Sequence, residues 1–305
     1  MTEPANNQSP PWLMPANAVA ALALALGWAY WPTFRNMSER WSTNAQYSHG
    51  WLVPLFALGL LYARRDMFLM TWSPRNWWGA ALIACALAIR WAGALVNFHW
   101  LDGFSLLPLL AGVAFLVGGK PLLAWSWPSI FFLLFMIPLP YRIEMALGNP
   151  LRHLATVSST YVLQSLGLPA LAQGNVIHIQ EAKMGVVEAC SGLSMLMVFV
   201  ALAVAVVFLI RRPLWEKAVL LASAVPIALL ANVARITVTG VLHVTVSSAF
   251  AEAFFHDFAG WLMMPLALVL LWVELKYLAW LLVTPAPFLA RNGALAPAVS
   301  NAGPA

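Results

Sequence analysis

The sequence has little charge: Asp, Glu, Lys and Arg together make up 9% of its 305 residues. Soluble domains contain roughly a quarter of such residues, so this scarcity excludes an ordinary soluble protein. Hydrophobic residues make up 62% of the chain, together with 16 tryptophans and 21 prolines. Tryptophan is favoured at the lipid headgroups, and proline is tolerated in membrane helices. The composition therefore predicts an all-α polytopic membrane protein in contact with the lipid bilayer.

Cysteine is also scarce, since only Cys85 and Cys190 are present. Cys85 falls in the middle of an apolar run, deeper than Cys190, so we expect a packing role for Cys85 and no disulfide between the two. The net charge of +5 is not gathered into a basic, aromatic-interleaved soluble patch, so nucleic acid is not expected as a partner. Residues 1–14 lack Lys and Arg. The first apolar run therefore predicts a retained helix and not a cleaved signal peptide.

Apolar runs divide the chain into about eight predicted transmembrane helices, because spanning the hydrocarbon takes about twenty apolar residues. Residues 1–14 are predicted to be a tail, residues 15–283 a membrane domain, and residues 284–305, rich in Pro, Ala and Gly, a disordered tail. No internal repeat is visible. The predicted spans are residues 15–34, 51–63, 77–96, 102–118, 122–138, 191–210, 218–243 and 258–283.

The lysines and arginines between the spans predict the orientation. Most of them fall on the side of the two termini, which indicates that both termini are cytoplasmic. Arg35 and Arg40 favour the opposite orientation. The one long connection, residues 139–190, then lies outside the cytoplasm. Its residues 143–166 have the pattern of a helix on the membrane surface, with leucines on one side, and residues 175–189 predict a small β-hairpin.

Three chemically capable residues fall at one membrane face. Cys190 immediately precedes the sixth predicted helix, and His256 precedes the eighth. Arg235 lies in the outer part of the seventh, about 26 Å from its inner end at 1.5 Å per residue. Counting helices places all three at the face of the long connection, whichever way the protein is oriented.

These residue types suit acyl transfer. A thiol is mostly protonated at neutral pH, and a nearby cation or imidazole favours its reactive thiolate form. Ser191 and Gly192 begin a helix, whose free amides and dipole also favour an anion at Cys190. Arg235 can stabilise the thiolate or the oxyanion, and His256 can act as acid and base. Glu188 should oppose thiolate formation unless it points away or orients His256.

Each feature also has a simpler interpretation. A cysteine at a helix start is more often a packing residue, and an arginine near a helix end more often reaches the interface. We interpret Arg90 in that way, with Asp102 or a lipid phosphate as its partner. The remaining histidines are not assigned a role: His99, His153, His178 and His243. The simpler interpretation weakens for the triple, because three independent accidents would have to share one face.

Four sequence elements carry a resemblance to a known family: "YSHGWLVP" from residue 47, "EACSGL" from residue 188, "NVAR" from residue 232 and "HDFAG" from residue 256. In this order and topology the chain resembles the exosortase/archaeosortase family, over roughly residues 15–283. The resemblance implies a multi-spanning cysteine protease and transpeptidase of the bacterial inner membrane with its active site facing the periplasm. It implies Cys190, Arg235 and His256 as the catalytic residues, and the histidine at the third position resembles the bacterial branch. Asn232, Tyr47 and His49 match family motifs without an assigned role, and are possible supporting residues together with Ser191, Gly192 and Glu188.

The resemblance also implies the partners. Such enzymes act on membrane-anchored proteins that end in a sorting signal: a Pro-Glu-Pro motif, a transmembrane helix and a basic cluster. The product passes through a Cys thioester to an acceptor whose identity is unknown, often alongside exopolysaccharide production. No cofactor or metal is expected. The acidic motif has three candidate contacts in the long connection, which could equally form a solvated basic face: Arg142, Arg152 and Lys183.

Two other classes of function stay open at this point. An envelope polysaccharide transporter or polymerase would use Arg90 and Arg235 to hold an anionic glycan or lipid-linked phosphate, and would leave Cys190 without a role. A metal or haem protein would use some of the six histidines. However, the sequence has no His-Glu-x-x-His signature, and the histidines fall outside the spans or at their outer ends.

Overall fold

A computed structural model describes residues 16–69, 77–179, 182–185, 192–210, 212–246 and 259–281. These parts of the chain are mainly helical, in agreement with the predicted all-α class. The helices are α1 (Ala16–Ala29), α2 (Trp31–Thr43), α3 (Val53–Ala63), α4 (Arg65–Leu69), α5 (Trp78–Leu95), α6 (His99–Phe132), α7 (Tyr141–Ser165), α8 (Gly192–Leu209), α9 (Leu214–Thr245) and α10 (Ala259–Leu281). Short 3-10 helices occupy Ala45–Trp51 and Leu133–Met136.

Four helical stretches of the described chain are long and apolar enough to cross a membrane: Trp78–Leu95, His99–Met136, Gly192–Leu209 and Leu214–Thr245. The prediction of a polytopic membrane protein is therefore confirmed. The predicted number of eight spans is not confirmed by length and composition. One reason is length: α1 has 14 residues and α3 has 11, and a span needs about twenty.

The stretch His99–Met136 folds back on itself. Gly119 has φ 66° and ψ −158°, a conformation that interrupts the helix and that glycine adopts at little cost. Pro121 follows directly. At the far ends of the two arms, a Cβ added to Gly103 would lie 3.0 Å from Ile137 Cγ2. The segments before and after Gly119 are therefore antiparallel, as expected for the two separate helices predicted over residues 102–118 and 122–138. We call the stretch His99–Met136 the α6 hairpin.

The first helical region is longer in the structure than in the prediction. Instead of ending at residue 34, helical structure continues after Tyr30 into α2 and reaches Thr43. Thr33, Met37 and Trp41 are buried on one side of α2, while the other side is polar. Trp41 Nε1 donates to the carbonyl oxygen of Met136 at 2.9 Å. Packing against the end of the α6 hairpin therefore stabilises an amphipathic helix that apolarity alone did not identify.

The long connection contains α7 and a three-stranded antiparallel sheet. The strands are β1 (Ala170–Gln173), β2 (Val176–Ile179) and β3 (Ala182–Gly185), in the order β1-β2-β3. The predicted hairpin is confirmed, with Ile177 opposite Met184. Strand β1 was not predicted. Gly174, with φ 63°, lies in the turn that joins β1 to β2.

Helix α7 packs along the C-terminal half of α9 and against the sheet. Leu163 contacts Gly240, and Ser159 Oγ donates to the carbonyl oxygen of Val233 at 3.4 Å. Of the leucines predicted on one side of this helix, Leu147 and Leu154 are exposed and Leu151 is half-buried. A separate hydrophobic core joins the three elements: Ala155, Leu163, Ala170, Ile177, Ile179 and Ile236.

Candidate functional site

The long-loop face is the side of the molecule where α8 begins and where α7 and the sheet pack. Of the predicted site residues, Gly192, Asn232, Arg235, Tyr47 and His49 belong to the described residues. The other four, Cys190, His256, Ser191 and Glu188, lie outside the described residues. The structure therefore describes the helix that begins two residues after the predicted nucleophile, and the roles of Cys190 and His256 stay predictions.

Gly192 and Asn232 are in contact. A Cβ added to Gly192 would lie 3.1 Å from Asn232 Nδ2 and 3.6 Å from Leu151 Cβ. Matching distances along the two helices account for this contact. Helix α8 has 18 residues, so Gly192 lies about 27 Å from the other end of α8. Asn232 lies about the same distance along α9 from its first residue, Leu214, so the two residues lie at the same level. The start of α8, two residues after Cys190, thus lies against the Asn-x-x-Arg element of α9.

The carboxamide of Asn232 is almost fully buried, with 1% of the residue exposed. Neither Oδ1 nor Nδ2 has a hydrogen-bond partner among the described residues. Burying an unpaired amide costs on the order of 1–3 kcal/mol, so native proteins rarely leave one without a ligand or a chain group to bind. Asn232 therefore presents both a donor and an acceptor at the start of α8.

Arg235 lies three residues beyond Asn232, so the two side chains project from the same side of α9. The residue is partly exposed, and its carbonyl oxygen accepts a hydrogen bond from Thr239 Oγ1 at 3.0 Å. The position lies one helical turn beyond Asn232, which contacts Gly192 at the N-terminal end of α8. A cation in this place can stabilise negative charge on a thiolate or an oxyanion.

Arg152 is a buried cation at this face that sequence reasoning grouped with exposed ones. Arg142 and Lys183 are exposed, whereas only 8% of Arg152 is exposed. Its position follows from the packing of α7 on α9, and the local sequence carries no signal for it. Its neighbour Leu151 contacts Gly192, so Arg152 lies close to the start of α8.

Tyr47 and His49 connect the 3-10 helix Ala45–Trp51 to its surroundings. Tyr47 Oη donates to Glu144 Oε2 at 3.1 Å, and burial together with the Glu144 carboxylate raises the pKa of Tyr47. His49 Nε2 lies 3.2 Å from the carbonyl oxygen of Phe135, and burial lowers the pKa of His49, which favours the neutral imidazole. The 3-10 helix also contacts α8. These residues therefore fix the position of elements around the site.

Arg90 has a protein partner, as one of the two sequence interpretations predicted. Its Nε lies 3.0 Å from Asp102 Oδ1, and its Nη2 donates to the carbonyl oxygen of Ala29 at 2.6 Å. The guanidinium also lies 4.2 Å from the centre of the Tyr30 ring. Arg90 is thus engaged at the junction of α1, α5 and α6. This removes one of the two arginines that suggested a binding site for an anionic glycan.

The remaining candidates contribute little to this site. Cys85 has a free thiol and is exposed on α5, so the expected packing role within the protein is wrong. Among the described residues, no group of three His, Cys, Asp or Glu side chains could hold a metal ion. A cleft of about 260 Å³ lies between α2, the start of α6 and the start of α7.

Comparison with known proteins identifies the family. A family model described as transmembrane exosortase matches residues 41–273. No curated protein and no solved structure matches the chain. The matched region begins in α2 and ends in α10, so it includes the contact between Gly192 and Asn232 and all four sequence elements of the resemblance. The chain belongs to the transmembrane exosortase family.

Proposed function

We propose that this protein is a membrane-embedded cysteine transpeptidase that cleaves the C-terminal sorting signals of surface-destined proteins. Its family supports a membrane transpeptidase role in general. The observation that carries the finer proposal is the contact of Gly192 with Asn232. It joins the helix start next to Cys190 to the helix that bears Arg235. The reaction would take place at the long-loop face, which we assign to the periplasmic side of the bacterial inner membrane.

The first half of the reaction forms an acyl-enzyme. The Cys190 thiolate attacks the carbonyl carbon of the scissile peptide bond, and the carbonyl oxygen becomes an oxyanion that Arg235 stabilises. Collapse of the tetrahedral intermediate breaks the carbon–nitrogen bond. His256, as the imidazolium, gives its proton to the leaving amine. A thioester remains between Cys190 and the N-terminal part of the substrate.

The second half resolves the thioester. The nucleophilic group of an acceptor, such as an amine, loses its proton to His256 as it attacks the thioester carbonyl. The Cys190 thiolate then leaves, and the imidazolium is restored for the next cycle. Water in place of the acceptor would give simple proteolysis. Asn232 supports both halves by offering its buried amide to the chain or the substrate beside α8.

A processing assay tests the proposal. The assay uses a membrane-anchored reporter that ends in a Pro-Glu-Pro motif, a transmembrane helix and a basic cluster, expressed together with the protein. C190A and C190S should abolish cleavage while protein abundance stays unchanged. C85A, at the other cysteine, serves as the matched control and should cleave normally. Normal cleavage by C190A would contradict the proposal.

R235K is the finer variant, because lysine keeps the charge but loses the planar fork that binds an oxygen anion through two hydrogen bonds. We expect a reduced rate of cleavage with little change in the affinity for the reporter, since the interaction strengthens as the oxyanion forms. Wild-type cleavage by R235K would remove Arg235 from the reaction.

A further inference from the structure

Arg152 is a buried cation that has no counter-charge among the described residues. Only 8% of the residue is exposed, and Nε has no hydrogen-bond partner among the described residues. The ion pairs found in that part of the chain do not include Arg152 either. Removing a guanidinium from water costs several kcal/mol unless an anion or several acceptors replace the water. This burial therefore indicates that an acceptor group binds here.

The side chain has a defined place on α7. It folds back over Gly148, where an added Cβ would lie 3.5 Å from Arg152 Nη2. Side chains on a helix lean towards its N-terminus, which agrees with this direction. The same buried face of α7 carries Ala155, Thr156 and Ser159, and Ser159 contacts α9. The guanidinium is thus held on the buried face of α7, and the neighbouring Leu151 lies against the start of α8.

Among the described residues, the groups around the start of α8 are positive or neutral. The N-terminal end of α8 carries the positive end of a helix dipole, and Arg235 lies one turn beyond Asn232 on α9. The Asn232 carboxamide has no hydrogen-bond partner in that part of the chain. The carboxylate of α7 itself, Glu144, lies two turns away from Arg152 and accepts the Tyr47 hydroxyl. An anion that reaches this junction would meet two arginines and a helix end.

We propose that Arg152 determines substrate specificity by binding a carboxylate of the substrate peptide close to the bond that is cut. The inference rests on the proposed function and extends it to the chemical class of the substrate. A carboxylate fits because its two oxygens match the fork of a guanidinium. A lipid phosphate fits less well. A lipid headgroup can reach exposed cations such as Arg142 and Lys183, whereas it would have to enter between helices to reach Arg152.

Two reporters test this role. One carries the Pro-Glu-Pro motif, and the other is identical except that glutamine replaces the glutamate. The purified full-length protein is reconstituted in phosphatidylcholine vesicles, and kcat/KM is measured for both reporters. The wild type should prefer the acidic reporter by about tenfold or more, the effect of a charge-assisted hydrogen bond. R152Q should bring the ratio near one, and R152K should give an intermediate ratio. R35Q, at an exposed arginine of α2, should keep the wild-type ratio.

The outcomes separate this inference from the proposed function. Loss of cleavage of both reporters in C190A, together with an unchanged ratio in R152Q, would overturn the role of Arg152 alone. An equal loss on both reporters in R152Q, reproduced by E188Q, would assign Arg152 to a carboxylate of its own chain and would also overturn it. A preference that depends on adding anionic lipid would point to headgroup binding and contradict the inference. If R152Q does not fold, the ratio for R152K is the test. An intermediate ratio supports the inference, and a wild-type ratio overturns it.

Discussion

The Asn232 side chain lies so close to Gly192 that a Cβ at position 192 would be 3.1 Å from Nδ2. This distance is tighter than most Cβ contacts, so a side chain at residue 192 would require the Asn232 amide or the start of α8 to shift by a few tenths of an ångström. The start of α8 and the Asn-x-x-Arg element of α9 therefore lie in close contact. The first prediction follows from this contact.

G192A should reduce reporter cleavage and change stability little. The added methyl group shifts the Asn232 amide or the start of α8 by a few tenths of an ångström. Misplacement of reacting groups by about 1 Å can lower a rate about 100-fold, so we expect a loss of roughly several-fold here. Cleavage rate and the midpoint of thermal unfolding in detergent are the measurements. G59A is the matched control, because a Cβ at Gly59 meets nothing within 4 Å. Full activity of G192A would show that the contact has no part in the reaction.

Y47F should lower stability by about 1–2 kcal/mol, since it removes the hydroxyl that donates to Glu144 and leaves that carboxylate without this donor. In a protein of this size the change corresponds to about 2–4 °C in the unfolding midpoint. Y161F changes an exposed tyrosine of α7 and should have almost no effect. If E144Q and Y47F have fully additive effects, the two side chains do not interact and the prediction is wrong.

Acid should destabilise the protein through His49. Burial holds the pKa of His49 below its ordinary value of 6.5, so the unfolded chain takes up the proton at a higher pH than the folded protein. Stability is therefore complete above pH 6.5 and falls as the pH drops through the window below it, by up to about 1.4 kcal/mol per pH unit. Unfolding midpoints at several pH values measure this slope.

H49Q should flatten the slope, because glutamine has no proton to gain. H153Q, at an exposed histidine of α7, should retain the wild-type pH dependence. A slope that persists unchanged in H49Q would place the titrating group elsewhere.

D102N should destabilise the junction of α1, α5 and α6. Arg90 Nε lies 3.0 Å from the Asp102 carboxylate, and Thr33 donates to the other carboxylate oxygen. The pair is only partly buried, so we expect a loss of about 1–3 kcal/mol, less than for a fully buried pair. The control E39Q removes an exposed acid of α2 and should be neutral. A double-mutant cycle with R90M that gives no coupling energy would exclude the ion pair as the cause.

The sequence predicted what depends on local pattern. Apolar runs gave the positions of α5, α8 and α9 to within a few residues, and alternating β-prone residues gave the β2–β3 hairpin. The pairing of Arg90 with Asp102 was one of two interpretations, because an arginine in a span needs an anion nearby. In the site, helix counting placed Cys190, Arg235 and His256 at one face. The structure brings Gly192 and Asn232, which lie near the first two in sequence, into contact.

The sequence did not predict what depends on tertiary contacts. Helix α2 extends to Thr43 because Trp41 bonds to the end of the α6 hairpin, a partner 95 positions away. Strand β1 is too short and too weakly patterned to be recognised without β2 beside it. Arg152 looks like any exposed basic residue until the packing of α7 on α9 buries it. The predicted number of eight spans is not confirmed, because helices such as α1 and α3 have only 14 and 11 residues in the described part of the chain.

The most direct test of the central claim is to intercept the thioester on Cys190. Hydroxylamine, added to the reconstituted protein and the Pro-Glu-Pro reporter, would attack a thioester and leave a hydroxamate at the new C-terminus of the cleaved reporter, which mass spectrometry detects. We predict that wild-type protein yields this hydroxamate and that C190A yields neither hydroxamate nor cleavage. A cleaved reporter that carries only a free carboxylate, formed equally by wild type and C190A, would contradict the account.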